Sequence, residues 1–87
     1  MSAQVTIYRT AWCPFCQRAE SLLAKKSIPN LESIDLDENP DQKAVMVEKA
    51  GRTSVPQIFI NGEHVGGCDD LMALERDGKL DALLEKH

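Results

Sequence analysis

The sequence has no apolar run that approaches the roughly 20 residues of a membrane-spanning helix, so an integral membrane protein is not expected. It also lacks an excess of basic charge. Ten Lys and Arg stand against fourteen Asp and Glu, a formal net charge of -4, which argues against nucleic acid and anionic membrane surfaces as partners. The first residues, Met1-Ser2-Ala3-Gln4, hold no basic segment followed by an apolar core, so no signal peptide is expected. There are three cysteines, an odd number that suits a secreted disulfide scaffold poorly and favours a reducing, cytoplasmic setting. No repeat, low-complexity tract or linker interrupts the chain. Its 87 residues with 43% apolar content suffice for one domain, residues 1–87, with its own core.

What is present is concentrated around Cys13-Pro14-Phe15-Cys16. The preceding stretch Gln4-Val5-Thr6-Ile7-Tyr8 alternates in the manner of a strand, and Ala19, Leu22 and Leu23 beyond it share one helical stripe. Pro14 has a fixed φ and no N–H, which suits the first helical position. Cys13 then becomes the N-cap, its sulfur over the open end of the helix, with Cys16 one turn on. Two cysteines at this spacing can close a small disulfide ring, and a helix start favours the thiolate that attacks disulfides. A helix terminus stabilises an anion by only about 0.3–2 kcal/mol. Further donors are therefore expected from the Phe15 and Cys16 N–H groups, the Cys16 thiol and a nearby cation among Arg9, Arg18 and Lys25. A metal reading also exists, in which Cys13, Cys16, His64 and Cys68 form a Cys3His zinc set, but a single C-x-x-C pair supports it weakly.

Further along, Ile34 and Leu36 suggest a second strand that ends in Asp37-Glu38-Asn39. Asn39-Pro40-Asp41-Gln42 reads as a helix start, with Asn39 as cap and Pro40 first, leading to a buried stripe of Ala44, Val47 and Ala50 and a stop at Gly51. Ile58-Phe59-Ile60, Asn61-Gly62 and Glu63-His64-Val65 predict a tight hairpin, because Asn-Gly tolerates the positive φ of a type I′ turn. Gly66-Gly67 breaks the strand. A helix then opens at Cys68-Asp69-Asp70 with Leu71 and Leu74 inward, and after Asp77-Gly78 a short helix carries Leu80, Leu83 and Leu84. Strands joined through a helix run parallel, whereas a hairpin is antiparallel. The expected α/β architecture is a four-stranded mixed sheet flanked by helices, which resembles the thioredoxin-like fold with the dithiol at the end of the first strand.

Two other segments carry possible chemistry. Pro56 cannot donate to a sheet ladder, so Val55-Pro56 is either a plain strand start or a cis peptide facing the dithiol, with the Val55 backbone free to pair with a peptide-like substrate. Gly66-Gly67 is either a simple turn or a close-approach site whose free N–H groups receive a carboxylate, with Asp69 or Asp70 holding an ammonium. Helix capping explains either aspartate equally well. His64 reads as hairpin surface, Cys68 as a small loop residue and Trp12 as a rim residue.

Taken together, Cys13-Pro14-Phe15-Cys16, the run Gly51 to Ile60 and Gly66-Gly67-Cys68-Asp69-Asp70-Leu71 resemble the glutaredoxin family, in its short bacterial dithiol form. The resemblance covers nearly the whole chain. It implies a glutathione-dependent disulfide oxidoreductase with Cys13 and Cys16 catalytic and glutathione as reducing cosubstrate, no group being permanently bound. It also implies that glutathione contacts Phe15, Ser54, Val55 and Pro56. The γ-glutamyl end would lie at Gly67, Cys68, Asp69 and Asp70, and the glycine carboxylate near Arg9, Arg52 and Gln57. Relatives often carry Tyr at Phe15, Lys at Thr10 and Thr at Ser54, and the resemblance leaves Arg9 as the candidate to replace the missing lysine. The implied partners are glutathionylated or disulfide-containing proteins, with ribonucleotide reductase as one candidate, for a protein acting as a monomer. Two other classes remain open on the residues alone. One is a thioredoxin-like donor reduced by a flavoprotein. The other is a dimeric carrier of an iron–sulfur cluster, which Pro14 disfavours by stiffening the motif.

Overall fold

The computed structural model describes residues 3–26 and 28–85. In chain order the elements are β1 (Gln4–Arg9), α1 (Pro14–Lys25), β2 (Asn30–Asp35), α2 (Gln42–Ala50), β3 (Gln57–Ile60), β4 (Glu63–Gly66), α3 (Cys68–Arg76) and α4 (Leu80–Glu85). The four strands form one sheet in the order β2-β1-β3-β4. β1 runs parallel to β2 and antiparallel to β3, and β3 runs antiparallel to β4. This is the mixed α/β sheet of a thioredoxin-like fold.

The alternation along β1 and β3 divides the core. Val5, Ile7, Ile58 and Ile60 face Ala19 and Leu23 of α1, Leu71 of α3 and Leu80 and Leu84 of α4. On the other face Tyr8 and Phe59 meet Met46 of α2, with Leu36 closing the cluster. Tyr8 and Phe59 pack edge to face, their ring centroids 5.8 Å apart. Lys26, just past α1, pairs with Glu75 at 2.8 Å and Asp81 at 2.9 Å, and so ties the end of α1 to α3 and α4.

The hairpin turn is as its residues require, with Asn61 at φ 53° and Gly62 at φ 83°. A register shift between Ile58 and Phe59 pairs Ile58 with Gly66 rather than Val65. The start of α2 differs from the sequence expectation. Gln42 is the first helical residue, and Asp41 precedes it with no side-chain cap. Asn39 and Pro40 form a turn instead, their carbonyls accepting from Gln42 and Lys43. The Asn39 amide is occupied at the exit of β2, where it donates to the Asp35 carbonyl at 3.1 Å. The buried stripe of α2 also shifts by rotation. Met46 is buried, Val47 and Ala50 are half-buried and Ala44 is exposed. Gly51 ends the helix at φ 71°, with its N–H on the Val47 carbonyl at 2.8 Å.

Candidate active site at the dithiol cleft

β1 delivers the chain to a short turn, and α1 begins at Pro14 with Cys13 as its N-cap. The Cys13 sulfur accepts the Cys16 N–H at 3.3 Å. Cys13 is half-exposed, whereas Cys16, one turn along, has 0% exposure. Burial, with help from its hydrogen bond to Cys13, pushes the Cys16 thiol up to about 12. The exposed cysteine is thus the one at the helix end, and the inner one keeps its proton. Trp12, at 92% exposure, projects from the turn beside them. Phe15 is exposed on the first turn of α1, with the Arg18 guanidinium 5.9 Å from its ring centroid.

Opposite the dithiol stands the segment that leads into β3. The Val55–Pro56 bond is cis, and the Val55 carbonyl oxygen lies 3.7 Å from the Cys13 sulfur. A cleft of about 210 Å³ opens between this segment and the start of α3. Its lining comprises Phe15, Arg52, Ser54, Val55, Pro56, Gln57, Gly67, Cys68, Asp69 and Asp70. The structure therefore gathers into one cavity every residue expected to meet glutathione except Arg9.

Arg9, expected near the glycine carboxylate, lies outside this lining. Its guanidinium bonds Glu20 of α1 and reaches Asp35 of β2 at 3.1 Å. Burial works against its charge, yet the Glu20 hydrogen bond and the Glu20 and Asp35 carboxylates outweigh it and hold its pKa above the ordinary value. Arg9 sits behind the dithiol, where its charge acts on Cys16, not in the cleft. Gln57 also changes character. It lines the cleft but is 1% exposed, and its amide nitrogen is already committed to Ser54, so it has no free donor for a carboxylate. Arg52 is the guanidinium left in the cleft lining, paired with Asp70 at 3.3 Å.

The start of α3 shows why glycines stand there. Gly66 has φ 121°, and a side chain on it would collide with the Asp70 carboxylate. A Cβ on Gly67 would come within 3.4 Å of the Pro56 carbonyl, so the two sides of the cleft approach here backbone to backbone. Asp70 reaches back to the Gly67 N–H at 2.9 Å. That bond first, then Arg52, holds its carboxyl below the usual carboxylate range against the opposing effect of burial. Asp69 is exposed in the same lining. Cys68 is buried, and burial raises its thiol pKa.

Among the described residues no three His, Cys, Asp or Glu side chains gather as metal ligands, so the set Cys13, Cys16, His64 and Cys68 is not assembled. His64 turns elsewhere, its Nε2 lying 2.7 Å from the Gln57 Oε1. His64 is exposed, as expected of a hairpin surface position, and the contact with Gln57 is what the sequence alone does not show. A partial signal is there, since a glutamine in a buried strand needs partners, and the Asn61-Gly62 register pairs His64 with Phe59, beside Gln57 on the same face. No helix among the described residues is long and apolar enough to cross a membrane.

Comparison with known proteins agrees with this fold. The sequence profile of the family described as Glutaredoxin matches residues 5–65. Glutaredoxin of Pseudomonas aeruginosa is 58% identical over 80 residues, covering 92% of this chain and 94% of the relative. Glutaredoxin 3 of Escherichia coli is 46% identical over 83 residues, covering 95% and 99%. Among solved structures, the crystal structure of a buckwheat glutaredoxin–glutathione complex superposes with a TM-score of 0.83 at 30% identity, covering 94% of this chain and 76% of that one. With a profile match across more than half of its length and such relatives aligned over nearly all of it, the chain belongs to the glutaredoxin family of glutathione-dependent thiol–disulfide oxidoreductases.

Proposed function

We propose that Cys13 is the attacking sulfur, Cys16 the resolving one, and the Val55–Asp70 cleft the seat of glutathione. The observation that carries this reading is the position of the Cys13 sulfur. It lies at the start of α1, accepts the Cys16 N–H and stands 3.7 Å from the Val55 carbonyl at the mouth of the cleft. Glutathione lies along the Val55 backbone, which offers sequence-independent pairing. The γ-glutamyl carboxylate meets the first amides of α3, which have no intrahelical acceptor. Asp69 receives the ammonium, and Arg52 is the cation available to the glycine carboxylate.

The chemistry follows in balanced steps. The Cys13 thiolate attacks the glutathione sulfur of a protein–glutathione disulfide. A Cys13–glutathione disulfide forms, and the protein thiolate leaves and takes up a proton. A second glutathione thiolate attacks the bound glutathione sulfur, giving glutathione disulfide and restoring Cys13. With a protein disulfide, Cys13 forms the mixed disulfide and Cys16 attacks the Cys13 sulfur, expelling the second protein thiol. The proton that Cys16 gives up matches the one the departing thiolate takes. Two glutathiones then reduce the Cys13–Cys16 disulfide. Burial first, then the hydrogen bond to Cys13 and the Cys13 charge, keep Cys16 protonated. The charge is lost once Cys13 is in a mixed disulfide, so one of the effects that oppose ionisation of Cys16 is removed at the moment its attack is needed.

The partners in this reading are glutathionylated and disulfide-bonded proteins, with ribonucleotide reductase as one candidate, met by a monomer in the cytoplasm. Glutathione acts as a cosubstrate. The test is turnover of cysteine–glutathione mixed disulfide with glutathione, glutathione reductase and NADPH. Turnover that depends on added glutathione is expected. Reduction by a flavoprotein thioredoxin reductase with none by glutathione would overturn the reading.

A further inference from the structure

We propose that Gln57 and His64 are a positioning pair that fixes the Ser54–Val55–Pro56 segment over Cys13, and so sets the affinity for glutathione without either side chain touching it. This rests on the reading in which glutathione lies along Val55. Gln57 is the buried polar side chain among the described residues, in the second central strand of the sheet. Its amide nitrogen donates to the Ser54 carbonyl at 3.0 Å and to the Ser54 hydroxyl at 3.3 Å. Its amide oxygen faces the His64 Nε2 at 2.7 Å. A carboxamide with both hydrogens spent on Ser54 offers only an acceptor at its other end, so His64 donates from Nε2.

The connection is therefore directional. His64 in β4 orients the Gln57 amide, and the amide grips the residue directly before Val55, whose carbonyl stands 3.7 Å from the reactive sulfur. His64 is itself held, its ring 5.1 Å from that of Phe59, which belongs to the core cluster on the α2 face. Glutamate at position 57 has the right shape but presents acceptors to the Ser54 carbonyl, and asparagine is a methylene too short. β4 thus supports the far wall of the active site through one buried amide.

The test uses Gln57→Leu and His64→Phe, which keep bulk while removing hydrogen bonds, and His64→Gln, which restores an N–H donor. Steady-state kinetics on cysteine–glutathione mixed disulfide should show KM raised roughly three- to tenfold in the first two, the scale of one hydrogen bond, with kcat much less affected. The rate of Cys13 alkylation by iodoacetamide should stay at the wild-type value, and His64→Gln should recover most of the lost affinity. An unchanged KM in folded Gln57→Leu and His64→Phe overturns the proposal. So does a parallel loss of KM, alkylation rate and melting temperature with no recovery in His64→Gln, which marks a general structural role. Titration of the wild type with S-methylglutathione, followed by amide NMR, separates the two readings. A shifted Val55 amide with unchanged variant KM removes the positioning role alone, whereas an unmoved Val55 amide removes both.

Discussion

The two walls of the cleft are made of different materials. The α1 wall is side-chain chemistry, with a half-exposed sulfur at the helix end, a buried one a turn behind it and the exposed Phe15 ring beside them. The opposite wall, from Ser54 to Gln57 and across to α3, is mostly backbone and carboxylate. Its one sulfur, Cys68, is buried with its proton held more firmly by that burial. In the proposed reading the first wall supplies reactivity and little polar recognition, and the second supplies recognition and no accessible thiol. Changes on the α1 wall should therefore act on the chemical step, and changes on the far wall on affinity.

The strongest break in that division is Cys13→Ser. A serine hydroxyl stays protonated at the helix end and does not exchange with disulfides, so turnover of both mixed disulfides and protein disulfides should fall to the uncatalysed background. The coupled assay checks this, with circular dichroism to confirm the fold. Substantial turnover in this variant would place the nucleophile elsewhere.

Cys16→Ser sharpens the same wall. Free glutathione can resolve the Cys13–glutathione intermediate, so mixed-disulfide turnover should persist while dithiol reduction of protein disulfides is lost. The two sulfurs should also differ in labelling. With its thiol pushed up to about 12 and its side chain buried, Cys16 should resist iodoacetamide in the folded protein at about pH 8 and become reactive only as pH rises toward that value. Peptide mass spectrometry should find the label on Cys13. Equal labelling of both would remove the asymmetry on which the assignment of attacker and resolver rests.

On the far wall, Asp69→Lys replaces the proposed ammonium partner with a like charge. One charge-assisted contact is worth roughly 1.5–3 kcal/mol, so the KM for glutathione should rise about ten- to a hundredfold with a smaller change in kcat. An unaltered KM in a folded variant would move the γ-glutamyl end away from α3.

How much of this was legible in the sequence depended on how local each signal was. Cys13 as a helix cap and Asn61-Gly62 as a turn are written in a few adjacent residues, and both stand as expected. The start of α2 looked equally local but was not. Asn39 and Pro40 carry cap-like chemistry that the structure uses at the exit of β2, so the helix begins two residues beyond Pro40. The nearness of Arg9 to Cys13 in sequence suggests a place in the cleft. Its fate is set instead by sheet register, which pairs it with Asp35, and by Glu20 on the following helix. The Gln57–His64 contact likewise needs the hairpin folded before the two residues meet. Arg9 and this pair share a cause, since sequence distance to the motif is a poor guide to which polar groups are already taken.

The smallest expected effect tests whether the recognition wall also carries stability. Asp70 holds the Gly67 N–H at 2.9 Å and Arg52 at 3.3 Å, and its carboxyl lies below the usual carboxylate range through the Gly67 hydrogen bond and then Arg52. A carboxyl whose folded pKa is lowered stabilises the fold above its unfolded pKa and loses that contribution as pH falls through the folded value. Asp70 is exposed, so the contribution is modest. Asp70→Asn keeps an acceptor for Gly67 but loses the charge near the start of α3, which should cost about 0.5 kcal/mol at neutral pH. Urea denaturation of wild type and variant at pH 7 and about pH 3 checks the sign, because the gap between them should narrow in acid as the wild-type carboxyl takes up its proton. A gap of constant size across that range would show that Asp70 acts through hydrogen-bond geometry alone, and that charge on this wall serves recognition without supporting the fold.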